Sequence, residues 1–142
     1  MKPENLVAEV SATVKAPVTE VWQALVTPER IKHYMFGATV SSSFKEGSPI
    51  TWNGEWKGRP FEDKGKILKV EPGRLLAYSH YSPLTGKPDR PENYHTVTIE
   101  LAEQAGSTRV SLKQDNNSDA EARKHSEQNW QAVLDGLRKE VE

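Results

Sequence analysis

"GKILKVEPGRLLAYSHYSPLTGKPDRPENYHTVTIEL", residues 65–101, holds three strands and the two connections between them. Pro72 and Gly73 sit at the centre of Glu71-Pro72-Gly73-Arg74, the residues that a type II turn wants, so the flanking segments run antiparallel. Val97, Ile99 and Leu101 alternate with Thr96, Thr98 and Glu100, the pattern of a strand with one wet face. Between these strands lies a long, stiff connection over 82–93, carrying Pro83, Pro88, Pro91 and Gly86. Leu75 and Leu76 are adjacent and leave the parity of 74–81 open: either Tyr78 and His80, or Ala77 and Ser79, face inward.

Working outward, strands are expected near 38–43, 49–53, 60–70, 74–81, 94–102 and 108–115, joined by turns rich in Gly or Pro. Upstream, Leu6, Ala8, Val10, Ala12 and Val14 share one face of a strand over 6–14. "APVTEVWQAL" then places Val18, Val21, Trp22 and Leu25 on one helical face. Thr27-Pro28-Glu29 starts a second short helix, which runs through Ile31 to about Tyr34. The last segment opens on Ser118-Asp119-Ala120-Glu121, which reads as a capping box. Trp130, Val133, Leu134, Leu137 and Val141 form an apolar stripe, whereas Arg123, Ser126 and Glu127 make the upstream part polar. Gly136 within that stripe hints at a close backbone approach.

The 142 residues suffice for one domain, 1–142, with a real core. There are no cysteines, which excludes disulfides and thiolate chemistry. Nineteen basic and twenty acidic side chains, mixed along the chain, give no field for nucleic acid. No apolar run reaches a membrane span, and the N-terminal residues lack a secretion pattern. The expectation is therefore a cytoplasmic protein that binds neither nucleic acid nor membrane.

One strand, two short helices, six strands and a long helix must bury a sheet face against a helix stripe. The expected class is α+β: a seven-stranded, curved antiparallel sheet gripping the C-terminal helix. This order resembles the helix-grip fold of the START-like (SRPBCC) superfamily over essentially the whole chain. Three segments, "APVTEVWQALVTPERIKHYM", the opening stretch at 65–101 and "NWQAVLDGL", resemble bacterial relatives of one domain. That domain is the C-terminal one of the activator of the ninety-kilodalton heat-shock protein ATPase. The resemblance implies the fold more firmly than the function, because one fold serves many functions.

Counting turns in the meander puts 53–60, 82–93, 115–119 and the residues from His33 to Phe36 at one end of the sheet. If a space opens there, the proline-rich loop is a rim or lid; the alternative is a device that blocks edge pairing. Trp56, in a glycine-rich connection at that end, either meets a ligand or fills the hole itself. The candidate ligand-binding residues are Trp52, Trp56, Tyr78, His80, Tyr94 and Trp130. His33, His80, His95 and His125 make no zinc spacing, and Glu62, Asp63 and Lys64 read as a solvated strand face. No metal, cofactor or catalytic residue set is expected.

The leading functional expectation is non-catalytic binding of a small, largely apolar ligand, aromatic or lipid-like, between sheet and helix. The alternatives are a chaperone-ATPase-activating interaction domain, which the resemblance implies, and a cyclase- or dehydratase-type enzyme. For the last, His80 and Glu127 are the residues to test.

Overall fold

The computed structural model describes residues 6–56, 58–83 and 86–142, with Trp56 described in its backbone alone. Strand β1 (Leu6–Val14) leads into helices α1 (Val18–Val26) and α2 (Pro28–Tyr34). Strands β2 (Thr39–Ser41), β3 (Pro49–Trp56), β4 (Arg59–Glu71), β5 (Leu75–His80), β6 (His95–Gln104) and β7 (Ser107–Asn117) follow. Helix α3 (Ala120–Val141) closes the chain. The strands form one antiparallel seven-stranded sheet in the order β1-β7-β6-β5-β4-β3-β2. From β2 to β7 each strand pairs with its successor, and β1 pairs with β7 at the far edge.

Curvature is built into β4. Its register against β5 shifts between Ile67 and Lys69, a bulge that turns the exposed Leu68 outward and bends the strand. Just before the bulge, Gly65 presses on β5 so closely that a Cβ there would lie 1.7 Å from the Ser79 carbonyl oxygen. No residue but glycine fits that contact. The Lys66 amide donates to Ser79 Oγ at 3.0 Å, so a side chain supplies a partner beside the irregular stretch.

Helix α3 starts differently from the capping box expected at Ser118 and Glu121. Asp119 is the N-cap, and its Oδ1 accepts the Ala122 amide at 2.8 Å. Val133, Leu134 and Leu137 are buried against the sheet, while the N-terminal half of the helix stays polar. A Cβ on Gly136 would approach Tyr34 Cβ to 2.8 Å, so α2 and α3 touch backbone to side chain. Tyr34 is fixed from its other end, its hydroxyl donating to the Ala24 carbonyl at 2.8 Å. Burial pushes that phenol far above its ordinary range. Together these contacts set where the chain leaves α2, at Met35 and Phe36.

The core between sheet and helix includes Val14, Val21, Ile50, Ile67, Leu76, Val97, Val110, Leu112, Leu134 and Leu137. Its buried polar residues Thr108 and Asn117 are paired. Thr108 Oγ1 donates to the Ala16 carbonyl at 2.9 Å, and Asn117 Nδ2 donates to that of Leu6 at 2.9 Å.

The described residues of the proline-rich connection do not line the pocket on the inner face. Tyr81 follows the inward His80 and points to the opposite face by alternation, where its ring stacks on Tyr94 at 5.3 Å. Tyr81 OH donates to the Lys87 carbonyl and Tyr94 OH to Asp89 Oδ1, both at 2.6 Å, and Lys64 Nζ pairs with Asp89. The hydrogen bond from Lys64, ahead of that from Tyr94, holds the Asp89 carboxyl below its ordinary range. The described part of the loop is thus laced to the convex face, which answers the rim-or-lid expectation against a lid. Leu84 and Thr85 lie outside the described residues.

Candidate functional site

Deep between sheet and helix the space is filled: a hollow of about 30 Å³ remains, lined by residues such as Ile31, Leu76, Ile99 and Leu137. That is the room of one water. Toward the open end the layers part around a larger hollow of about 290 Å³, which Met35, Trp52, Phe61, Asp63, Tyr78, His80 and Trp130 help to line. Phe36, Ala38, Glu55 and Asn129 also line it. A smaller pocket of about 150 Å³ continues past Phe36 and Trp130 to Gln114 and Ser126.

Each wall residue follows from strand alternation. Trp52 pairs with Val40 on β2 and with Asp63 on β4, so these three share the inner face. Phe61 opposes Gly54, and a Cβ on Gly54 would meet the Phe61 ring at 3.0 Å. Glycine there gives the ring its seat. On β5 the open parity resolves to Leu76, Tyr78 and His80 inward. Trp52 packs on both neighbours, its ring 5.2 Å from Tyr78 and 4.9 Å, edge on, from His80. Burial alone pushes the Tyr78 phenol well above its ordinary range.

The polar element is one that the sequence reading missed. Asp63, read there as part of a solvated face, has a side chain only 14% exposed, and its Oδ2 accepts from His80 Nε2 at 2.9 Å. Its Oδ1 is buried, and among the described residues it has no hydrogen-bond partner. The signal lay in Phe61, Asp63, Gly65 and Ile67, which alternate with Glu62, Lys64 and Lys66 and so place Asp63 on the apolar side. Behind His80, His95 stacks at 6.4 Å, its Nδ1–H donating to the Asp115 carbonyl at 2.9 Å.

Across the mouth, Trp130 Nε1–H donates to Gln114 Oε1 at 2.5 Å, which fixes the indole at the border of both pockets. Ser126 Oγ donates to Asn117 Oδ1 at 2.8 Å, so the polar half of α3 is tied to the end of β7. Phe36 stands opposite with φ 55 and 73% of its surface exposed. A large residue in that left-handed conformation is unusual.

Residues 15–142 match the family described as "Activator of Hsp90 ATPase homolog 1-like protein". The chain belongs to this family. The family's helix-grip fold is what the sheet and α3 display. The solution structure of ChR145 from Cytophaga hutchinsonii is 55% identical, with a TM-score of 0.85 over 98% of this chain and 94% of that one. The crystal structure of CalU16 from Micromonospora echinospora is 23% identical, with a TM-score of 0.74 over 96% and 84% of the two chains. The solution structure of the Aha1 dimer from Colwellia psychrerythraea is 19% identical, with a TM-score of 0.76 over 96% of each chain. The likeness to these last two is one of fold. No curated protein matches the sequence.

Of the six residues singled out from the sequence, the structure brings Trp52, Tyr78, His80 and Trp130 around one pocket. Tyr94 stands apart, on the convex face against Tyr81. Trp56 ends β3, paired with Arg59, rather than lying in a connection; its side chain is outside the described residues. Glu127 does not line the pocket, and its Oε2 accepts the Glu9 amide at 3.2 Å. Among the described residues no cluster of three His, Cys, Asp or Glu could hold a metal ion. No described helix is long and apolar enough to cross a membrane.

Proposed function

We propose that this family member binds one small, largely apolar aromatic molecule in the pocket between the inner face of β3–β5 and α3. The observation that carries the reading is an aromatic-walled hollow of about 290 Å³ above a core that is otherwise closed. A cavity of roughly 150 Å³ admits benzene, and pockets for drug-sized ligands begin near 300 Å³. The volume therefore suits one or two rings and excludes a long lipid chain. Trp52, Tyr78, Phe61 and Trp130 supply the contact area, and Asp63 with His80 supplies the polar end.

A guest of about ten heavy atoms has a limited affinity, on the order of high micromolar to millimolar at ordinary ligand efficiency. Saturation-transfer NMR with indole suits that range. The expected result is transfer to indole that disappears in Ala38→Leu, whose larger side chain fills the pocket, while unfolding stays cooperative. Undiminished transfer in that variant would overturn the assignment.

The family description suggests a second reading, a partner of a chaperone ATPase. The surface ranks it lower. The exposed large apolar residues among those described are Val7, Phe36 and Leu68, which lie on β1, at the pocket mouth and on β4. β1 and β4 are separated by three strands, so among the described residues these three form no contiguous apolar patch. Stimulation of the cognate chaperone's ATPase by saturating protein would reverse that ranking.

A further inference from the structure

We infer that the natural guest is cationic, an aromatic molecule carrying a protonated amine held beside the Asp63 carboxylate in the pocket wall. The inference rests on the pocket reading above and adds the ligand's charge to it. Three observations converge. First, the pocket wall carries two carboxylates, Asp63 within and Glu55 at the exposed rim, and no lysine or arginine among its described residues. Second, His80 Nε2–H occupies Asp63 Oδ2 at 2.9 Å, whereas no described group reaches the buried Oδ1. Third, the other walls are the rings of Trp52, Phe61, Tyr78 and Trp130.

Each observation selects against other guests. A carboxylate only accepts hydrogen bonds, so Oδ1 needs a donor. A purely apolar guest would displace water from beside the Asp63 carboxylate with nothing in exchange, and desolvating a charge is costly. An anion would meet Asp63 and Glu55 with like charge. A cation gains twice, through its attraction to the Asp63 carboxylate and through the negative faces of the surrounding rings. His80 acts here as a positioning residue: its hydrogen bond to Oδ2 fixes the Asp63 carboxylate in the pocket wall.

The test is a charge series on one ring system, benzylamine, benzyl alcohol and benzoate, titrated at neutral pH and followed by protein NMR shifts. The expected result is benzylamine at least about tenfold tighter than benzyl alcohol, with no saturable binding of benzoate. Asp63→Asn should bring benzylamine down to the level of benzyl alcohol, as an amide carries no charge. Equal affinity of benzylamine and benzyl alcohol in the unmodified protein would overturn the inference and leave the pocket reading standing. Failure of all three compounds to bind would overturn both. The unmodified protein alone decides between these outcomes, so the inference stays testable even if the variant does not fold.

Discussion

His80 Nε2 and Asp63 Oδ2 lie 2.9 Å apart on the inner face of the sheet, hydrogen-bonded side chain to side chain within the described pocket wall. Removing the imidazole leaves a largely buried carboxylate without its donor. His80→Ala should therefore cost about 1–3 kcal/mol of stability, read as a lower urea midpoint. In a cycle with Asp63→Asn the two losses should fall short of additive by about 0.5 kcal/mol or more. Strictly additive losses would mean that the pair is not coupled.

Gly65 lies close against the backbone of Ser79. A methyl group at Gly65 would sit 1.7 Å from the Ser79 carbonyl oxygen, so the β4–β5 pairing must open for Gly65→Ala to fold. The expected loss is about 3 kcal/mol or more, with the largest NMR shifts at residues 64–67 and 78–81. A loss below about 1 kcal/mol would show that the bulge tolerates a side chain.

Phe36 is held at φ 55 although its ring is mostly in solvent. That conformation costs an L-residue about 1–2 kcal/mol and costs glycine little. Phe36→Gly should therefore leave stability within about 1 kcal/mol of the parent, the relief of strain offsetting lost contact and the added freedom of the unfolded chain. Indole affinity should fall several-fold, because the ring forms part of the pocket wall. A large stability loss with unchanged binding would assign Phe36 to packing instead.

Glu140 joins α2 to α3, its Oε2 accepting from Arg30 Nε at 2.9 Å and its Oε1 paired with His33 Nδ1 at 2.8 Å. The Arg30 guanidinium, and then His33, holds this carboxyl below its ordinary 4.5. A depressed folded-state value contributes stability in full above 4.5 and loses it as pH falls through the lowered value. The stability gap between the parent and Glu140→Gln should thus be widest near neutrality and close in acid. A gap that persists unchanged down to the acid transition would contradict this.

Much of this architecture could be read from residue patterns. Alternation in β1 and β6, the Pro72-Gly73 turn and the stripe from Trp130 to Val141 suffice for strand order and for the helix that the sheet grips. Two features were not legible for physical reasons. Alternation alone gave β5 two parities, because Leu75 and Leu76 are both apolar; pairing with β4 and β6 decided it. The proline-rich loop was placed at the correct end, but which face it folds over depends on Tyr81, Lys64 and Asp89, far apart in sequence. Asp63 was misread although the spacing from Phe61 to Ile67 placed it inward. A charged residue flanked by charged neighbours looks solvated until its face is asked for.

The most direct test uses the four indole N–H resonances as reporters in an NMR titration with indole. Trp52 and Trp130 line the pocket, whereas Trp22 is buried in the core away from it. The account predicts that the Trp52 and Trp130 signals move together and saturate, along with the amides of 35–38 and 126–130, while Trp22 stays in place. Shifts confined to other surfaces, or no saturable shift at Trp52 and Trp130, would contradict it.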